Sequence, residues 1–214
     1  MSRFIKGMDL STLLELERCG AKYYDHGKER DILDIMRDYD VDTIRLRLWN
    51  DPYSETGEPY GAGCNDLAET IAIGKKVSDA GFGVFLNFHY SDFWADPGYT
   101  MEDYKQYEKL KDSERKGYAT KPELVAKIEY PMTVQGQADF TKDFLNRVAH
   151  VRDNKGLGFF WWEPAWIPVH GSGWATPASL KYMNDPGPCG NEWANQALFD
   201  YDGNVLPALE VIRD

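Results

Sequence analysis

The chain has 214 residues, 43% hydrophobic and 28% charged, which are ordinary values for one globular domain with a sizeable core. Its formal net charge is −11, from 24 basic and 35 acidic residues. A surface of that sign repels phosphate backbones and anionic lipid, and no run is apolar for long enough to span a bilayer, so neither nucleic acid nor membrane is an expected partner.

Met1-Ser2-Arg3 lead into Phe4–Asp9 with no basic segment and no apolar run between. No signal peptide is read there, and a cytoplasmic location is expected. Phe4–Asp9 reads as a short strand and Ser11–Cys19 as a helical turn. Ile32, Leu33, Ile35 and Met36 recur at helical spacing behind Asp31, a suitable N-cap. Thr43–Trp49 alternates as a strand does, and a loop follows with Pro52, Gly57, Pro59, Gly61 and Gly63. Asn65 or Asp66 caps a helix that runs through Asp79 and stops at Gly81; Gly83–Phe88 then reads as a buried strand. The order β-α-β-α-β predicts a parallel sheet with right-handed crossovers.

Tyr99–Lys127 is charged and holds no apolar strand, so residues 99–130 are expected to be irregular or helical, within a single domain over 1–214. A helical pattern resumes at Val134 with Ala138, Phe140, Phe144, Leu145, Val148 and Val151. Leu157–Trp162 is the last buried strand, a loop rich in Pro, Gly and Trp follows, and a helix closes the chain near Leu206–Ile212. Cys19, Cys64 and Cys189 are odd in number and lack metal-type spacing; they read as reduced, small buried fillers.

In a parallel βα barrel, function gathers at the C-terminal ends of the strands. Those ends carry Asp9; Arg45, Arg47, Trp49 and Asn50; Asn87, His89, Tyr90, Asp92, Trp94 and Asp96; and Trp161, Trp162, Glu163, Trp166 and Trp174. Seven Trp sit in the chain, five of them after residue 160. An indole face packs on the C–H groups of a pyranose while neighbouring polar groups take its hydroxyls. Asp9, Arg47, Asn50, His89, Asp92, Trp94, Trp162, Glu163, Trp166 and Trp174 are therefore the candidate sugar-binding set. Each has a structural alternative: a turn cap for Asp9, an ion-pair partner for Arg45 or Arg47, a hydrogen-bonded scaffold for His89, core for the indoles. There is no Gly-rich phosphate loop, no Ser-His-Asp order and no metal triad, so no cofactor or metal is expected.

Longer segments carry a resemblance. Gly7–Ser11, Arg45–Pro52, Asn87–Gly98, Thr133–Phe140, Trp162–Pro168, Gly173–Ala175 and Gly190–Gln196 together look like glycoside hydrolase family 53, over nearly all of the chain except Tyr99–Tyr130. The resemblance implies a TIM-barrel-derived α/β fold and an endo-β-1,4-galactanase that acts on galactan or galactooligosaccharide by a retaining mechanism, often as a secreted protein. It implies two catalytic glutamates, an acid/base after an Asn on the fourth strand and a nucleophile on the seventh. Here Pro97-Gly98 is followed at once by Tyr99–Asp103, which looks like the loop after the nucleophile. Strands four to seven are expected to be missing, and both glutamates with them. Asn191-Glu192, Glu129 and Glu163 mimic the lost pair, but their neighbours match other parts of the family.

Strands one, two, three and eight are contiguous in a closed barrel, so a half-barrel in the order eight-one-two-three is expected. Its inner face would be lined by Ile44, Leu46, Val84, Leu86 and Phe159, and its open edges would favour self-association. The functional expectation is a galactanase by descent with its activity compromised; the alternative is a catalytically inactive galactan-binding or decayed remnant.

Overall fold

The computed structural model describes residues 4–94, 129–185, 187–191 and 193–213. Nearly all of the expected 99–130 insertion, with Asp96 and Glu192, lies outside these residues.

In chain order the described elements are β1 (Ile5–Asp9), α1 (Leu13–Arg18), the hairpin strands β2 (Tyr23–Asp25) and β3 (Lys28–Arg30), α2 (Ile32–Asp38), β4 (Thr43–Leu48), α3 (Leu67–Asp79), β5 (Gly83–Phe88), α4 (Val134–Ala149), β6 (Gly158–Trp161), α5 (Pro177–Met183) and α6 (Pro207–Arg213). The helix starts follow from their caps. The Asp31 carboxylate accepts from the Leu33 N–H at 2.8 Å, and that of Asp66 from the Glu69 N–H at 2.7 Å. Thr133 accepts from Gly136 in the same way. α3 ends at a left-handed Gly81, φ 90°.

Four strands form one parallel sheet in the order β5-β4-β1-β6. β6 lies beside β1 with Ile5 opposite Gly158 and Met8 opposite Trp161, so the last strand pairs with the first, as expected from the closure of a barrel. The registers put Met8, Ile44, Leu46 and Phe159 in rows on one face. That face lies under the helices, since Leu46 Cδ1 reaches within 3.8 Å of where a Cβ on Gly74 of α3 would stand. The expected inner lining is therefore corrected: Ile44, Leu46 and Phe159 are buried beneath helices, and Val84 and Leu86 continue their row. The concave face carries instead Gly7, Asp9, Arg45, Arg47, Phe85 and Phe160. Gly7 has a steric reason to be glycine: its Cβ would fall 2.3 Å from Cδ1 of Phe160, whose ring crosses it to meet Phe85 at 5.0 Å.

Other expectations are also corrected. β5 is not buried, because among the described strands only β4 flanks it; Val84 and Leu86 are 47% and 40% exposed. On α4 the buried positions are Gly136, Ala138 and Thr141, while Phe140, Phe144 and Val151 face outward. Cys189 is exposed and Cys19 and Cys64 are half-buried, all three as free thiols. The β2–β3 hairpin turns at His26-Gly27, both left-handed, as a tight two-residue turn requires. α5 begins in the loop rich in Pro, Gly and Trp with a capping box between Thr176 and Ser179. No helix among the described residues is long and apolar enough to cross a membrane.

Candidate active site

The C-terminal ends of β1, β4 and β6 bring three polar side chains into one buried cluster. Asp9, Arg47 and Glu163 are all fully buried. Arg47 Nη1 donates to Glu163 Oε1 at 2.6 Å and reaches Asp9 Oδ1 at 3.5 Å, while Nη2 donates to the Ala62 carbonyl at 3.1 Å. Arg45, on the same face of β4, also pairs with Asp9. Two guanidiniums thus balance two carboxylates, which is what permits charge in a place so far from water. Thr12 Oγ1 donates to Glu163 Oε2 at 2.6 Å, Ser11 Oγ donates to Asp9, and the Arg47 N–H donates back to Ser11 Oγ at 2.9 Å. Glu163 sits in the left-handed region at φ 45°, just past the end of β6. A non-glycine residue held there is a local strain, and the Arg47 and Thr12 bonds hold it. Burial pushes the Glu163 carboxyl up to about 7; Arg47 draws it down, and the neighbouring Asp9 charge pushes it up again.

Above this cluster lies an aromatic floor. The Arg47 guanidinium rests 4.8 Å from the Trp94 ring centre and 5.6 Å from that of Trp49. Trp94 meets Trp49 at 5.1 Å and Trp162 at 5.9 Å, and Trp162 meets Trp166 at 5.6 Å and Trp193 at 6.2 Å. Trp94 Nε1 donates to the Trp174 carbonyl, and Trp174 Nε1 to the Pro188 carbonyl. Trp94, Trp162, Trp174 and Trp193 are half-buried and keep surface toward solvent. At the rim, Trp49 Nε1 donates to His89 Nδ1, and the Asp92 carboxylate accepts from the Asn50 side chain and the Asp51 N–H.

The structure thus joins all ten candidate residues in one connected region, at two depths. Asp9, Arg47, Glu163 and Trp166 lie in the interior; Trp166 is fully buried, offers no ring face to a ligand and supports Trp162 from below. Asn50, His89, Asp92, Trp94, Trp162 and Trp174 lie nearer solvent. Sequence reasoning passed over Thr12, whose bond to Glu163 spans 151 residues and leaves no local mark. It also left out Trp193, although that residue stands within the quoted Gly190–Gln196 segment. Among the described residues no group of three or more His, Cys, Asp or Glu is disposed to hold a metal ion.

The family model for glycosyl hydrolase family 53 matches residues 5–112 and 100–212. The chain belongs to glycosyl hydrolase family 53. It is similar to an endo-beta-1,4-galactanase of Bacillus subtilis (strain 168), 26% identical over 369 aligned positions that take in 98% of this chain and 85% of that protein. Those 369 positions exceed the 214 residues here by 155, so that relative carries at least that many positions without counterpart in this chain. An arabinogalactan endo-beta-1,4-galactanase of Cellvibrio japonicus (strain Ueda107) is 39% identical over 94 residues, which are 44% of this chain but only 23% of that protein. Among solved structures, the Ignisphaera aggregans GH53 catalytic domain superposes with a TM-score of 0.77 at 24% identity, over 98% of this chain and 95% of that one. The fold is therefore that of a family 53 TIM barrel, present in part.

Proposed function

We propose that this chain holds β-1,4-linked galactan on its indole floor and hydrolyses it at no more than a trace of an ordinary rate. The observation that carries this reading is the state of the two strand-end carboxylates. Asp9 Oδ1 and Glu163 Oε1 share one guanidinium nitrogen, at 3.5 and 2.6 Å, so they stand at most about 6 Å apart. A retaining glycosidase needs two carboxyls about 5–5.5 Å apart, one protonated and one ionised. The separation and the raised Glu163 suit that pattern, but access does not. Both residues are fully buried, and the Glu163 oxygens are taken by Arg47 and Thr12, those of Asp9 by Ser11, Arg45 and Arg47. Neither carboxyl can reach an anomeric carbon or a leaving oxygen without dismantling the cluster. The positions of the Bacillus subtilis protein that have no counterpart in this chain support the further reading that the family's acid/base and nucleophile are among those lost. Uniform binding by the indoles lowers the Michaelis constant without lowering the chemical barrier.

A second reading has the Asp9–Glu163 separation in its favour: a rebuilt retaining pair, exposed on substrate binding. Hydrolysis that vanishes in Glu163→Gln would favour it. The binding half of the proposal is tested by titrating β-1,4-galactooligosaccharides against tryptophan fluorescence. A saturable change at millimolar ligand, weakened at least tenfold in Trp94→Ala and Trp162→Ala, is expected. A folded sample that gives no response would contradict it.

A further inference from the structure

The described sheet has two free edges, β5 and β6, and they differ in a complementary way. At the β5 end the helix-side row is bare: Val84, Leu86 and Phe88 are 47%, 40% and 53% exposed. At the β6 end the opposite holds. α4 leads into β6, packs chiefly on α6 and buries Gly136, Ala138 and Thr141. It leaves Val134, Phe140 and Phe144 uncovered, with the last two rings stacked at 6.1 Å. One end is an apolar strand that α3, among the described helices, covers only in part. The other is a helix that touches β6 but leaves an apolar flank that no described strand covers.

We propose that two copies of this chain close one eight-stranded parallel barrel about a two-fold axis parallel to the strands. Rotation about such an axis preserves strand direction, so β5 of each copy meets β6 of the other in parallel. The unpaired N–H and C=O rows of both edges are then satisfied. The α4 helix of each copy comes to lie over the bare β5 row of its partner. The two-fold makes the two β5–β6 seams equivalent, so the interface as a whole is isologous and closed. Four strands are half of the eight that such a barrel needs, so it closes at two copies.

Light scattering coupled to size exclusion tests this on the whole chain. The expected result is a monodisperse particle of twice 24.5 kDa. Leu86→Lys in β5 and Phe144→Lys in α4 should each give monomers with an unchanged circular dichroism spectrum, since both side chains already face solvent in the protomer. Mixing the two variants should restore a dimer, because one of its two seams then carries both substitutions and the other carries none. Three results would overturn the proposal: a wild-type monomer at high concentration, polydisperse polymers, or a dimer broken by only one of the two variants. The mixing result keeps the test decisive even if one substitution lowers stability.

Discussion

β4 and β5 are neighbours in one sheet, parallel and in register over six residue pairs. Both carry apolar residues at alternate positions, and β5 is the more hydrophobic of the two. Yet Ile44 and Leu46 are 0% and 1% exposed while their register partners Val84 and Leu86 are 47% and 40% exposed. The local pattern is not the cause of burial. Among the described strands β4 has a neighbour on each side and β5 on one side only, while α3 packs on both. The same contrast governs charge. Arg47 on β4 tolerates full burial because Glu163 and Asp9 meet it there, brought by β6 and β1. No further strand among the described residues brings such partners to Asn87.

The contrast is broken most severely at Arg47. Arg47→Met leaves Glu163 buried without its cation, and removing one partner of a buried pair costs about 3–5 kcal/mol. Urea denaturation should show a loss of that size, against less than about 1 kcal/mol for Asn87→Ala on β5. Next comes a matched pair of truncations. Leu46→Ala should cost about 2–5 kcal/mol because a cavity remains under α3. Leu86→Ala, in dilute solution, should stay within about 0.5 kcal/mol of the parent. Equal losses at the two positions would show that β5 is covered after all.

A smaller effect is read from pH. The Glu163 carboxyl is raised in the folded protein, chiefly by burial, to about 7, from 4.5 when unperturbed. The folded state therefore holds its proton more tightly than the unfolded state does. Its contribution to stability is complete below about pH 4.5 and is lost as pH rises toward 7. The stability difference between the parent and Glu163→Gln should accordingly drift in favour of Glu163→Gln over that range. A difference that is flat, or that drifts the other way, would mean that Arg47 outweighs burial at this carboxyl.

Much of the fold is legible in the residues. Asp31 and Asp66 announce their helices, and Leu157–Trp162 announces a strand that can only close against Phe4–Asp9 once strands one, two, three and eight are taken as neighbours. The exposure of β5 was legible only from its expected place at the open edge of a half-barrel; taken alone, Gly-Val-Phe-Leu-Asn-Phe reads as a core strand. The β2–β3 hairpin escaped because strands of three residues lack an apolar run, although His26-Gly27 marks the turn. α5 escaped because Pro, Gly and Trp dominate its surroundings, although Thr176-Pro177 is a helix start. In the site, the strand-end positions of Asp9, Arg47 and Glu163 were readable. Their depth was not, since it depends on Trp94, Trp162 and Thr12 closing over them from distant parts of the chain.

The reading that this region binds sugar but scarcely cuts it is tested most directly by reducing-end release from β-1,4-galactan by the folded, unmodified chain. The account predicts release at no more than a trace level, unaltered by Glu163→Gln, because the buried carboxyls never meet a glycosidic bond. Robust turnover that disappears in Glu163→Gln would contradict it and would show that Asp9 and Glu163 act as a working pair.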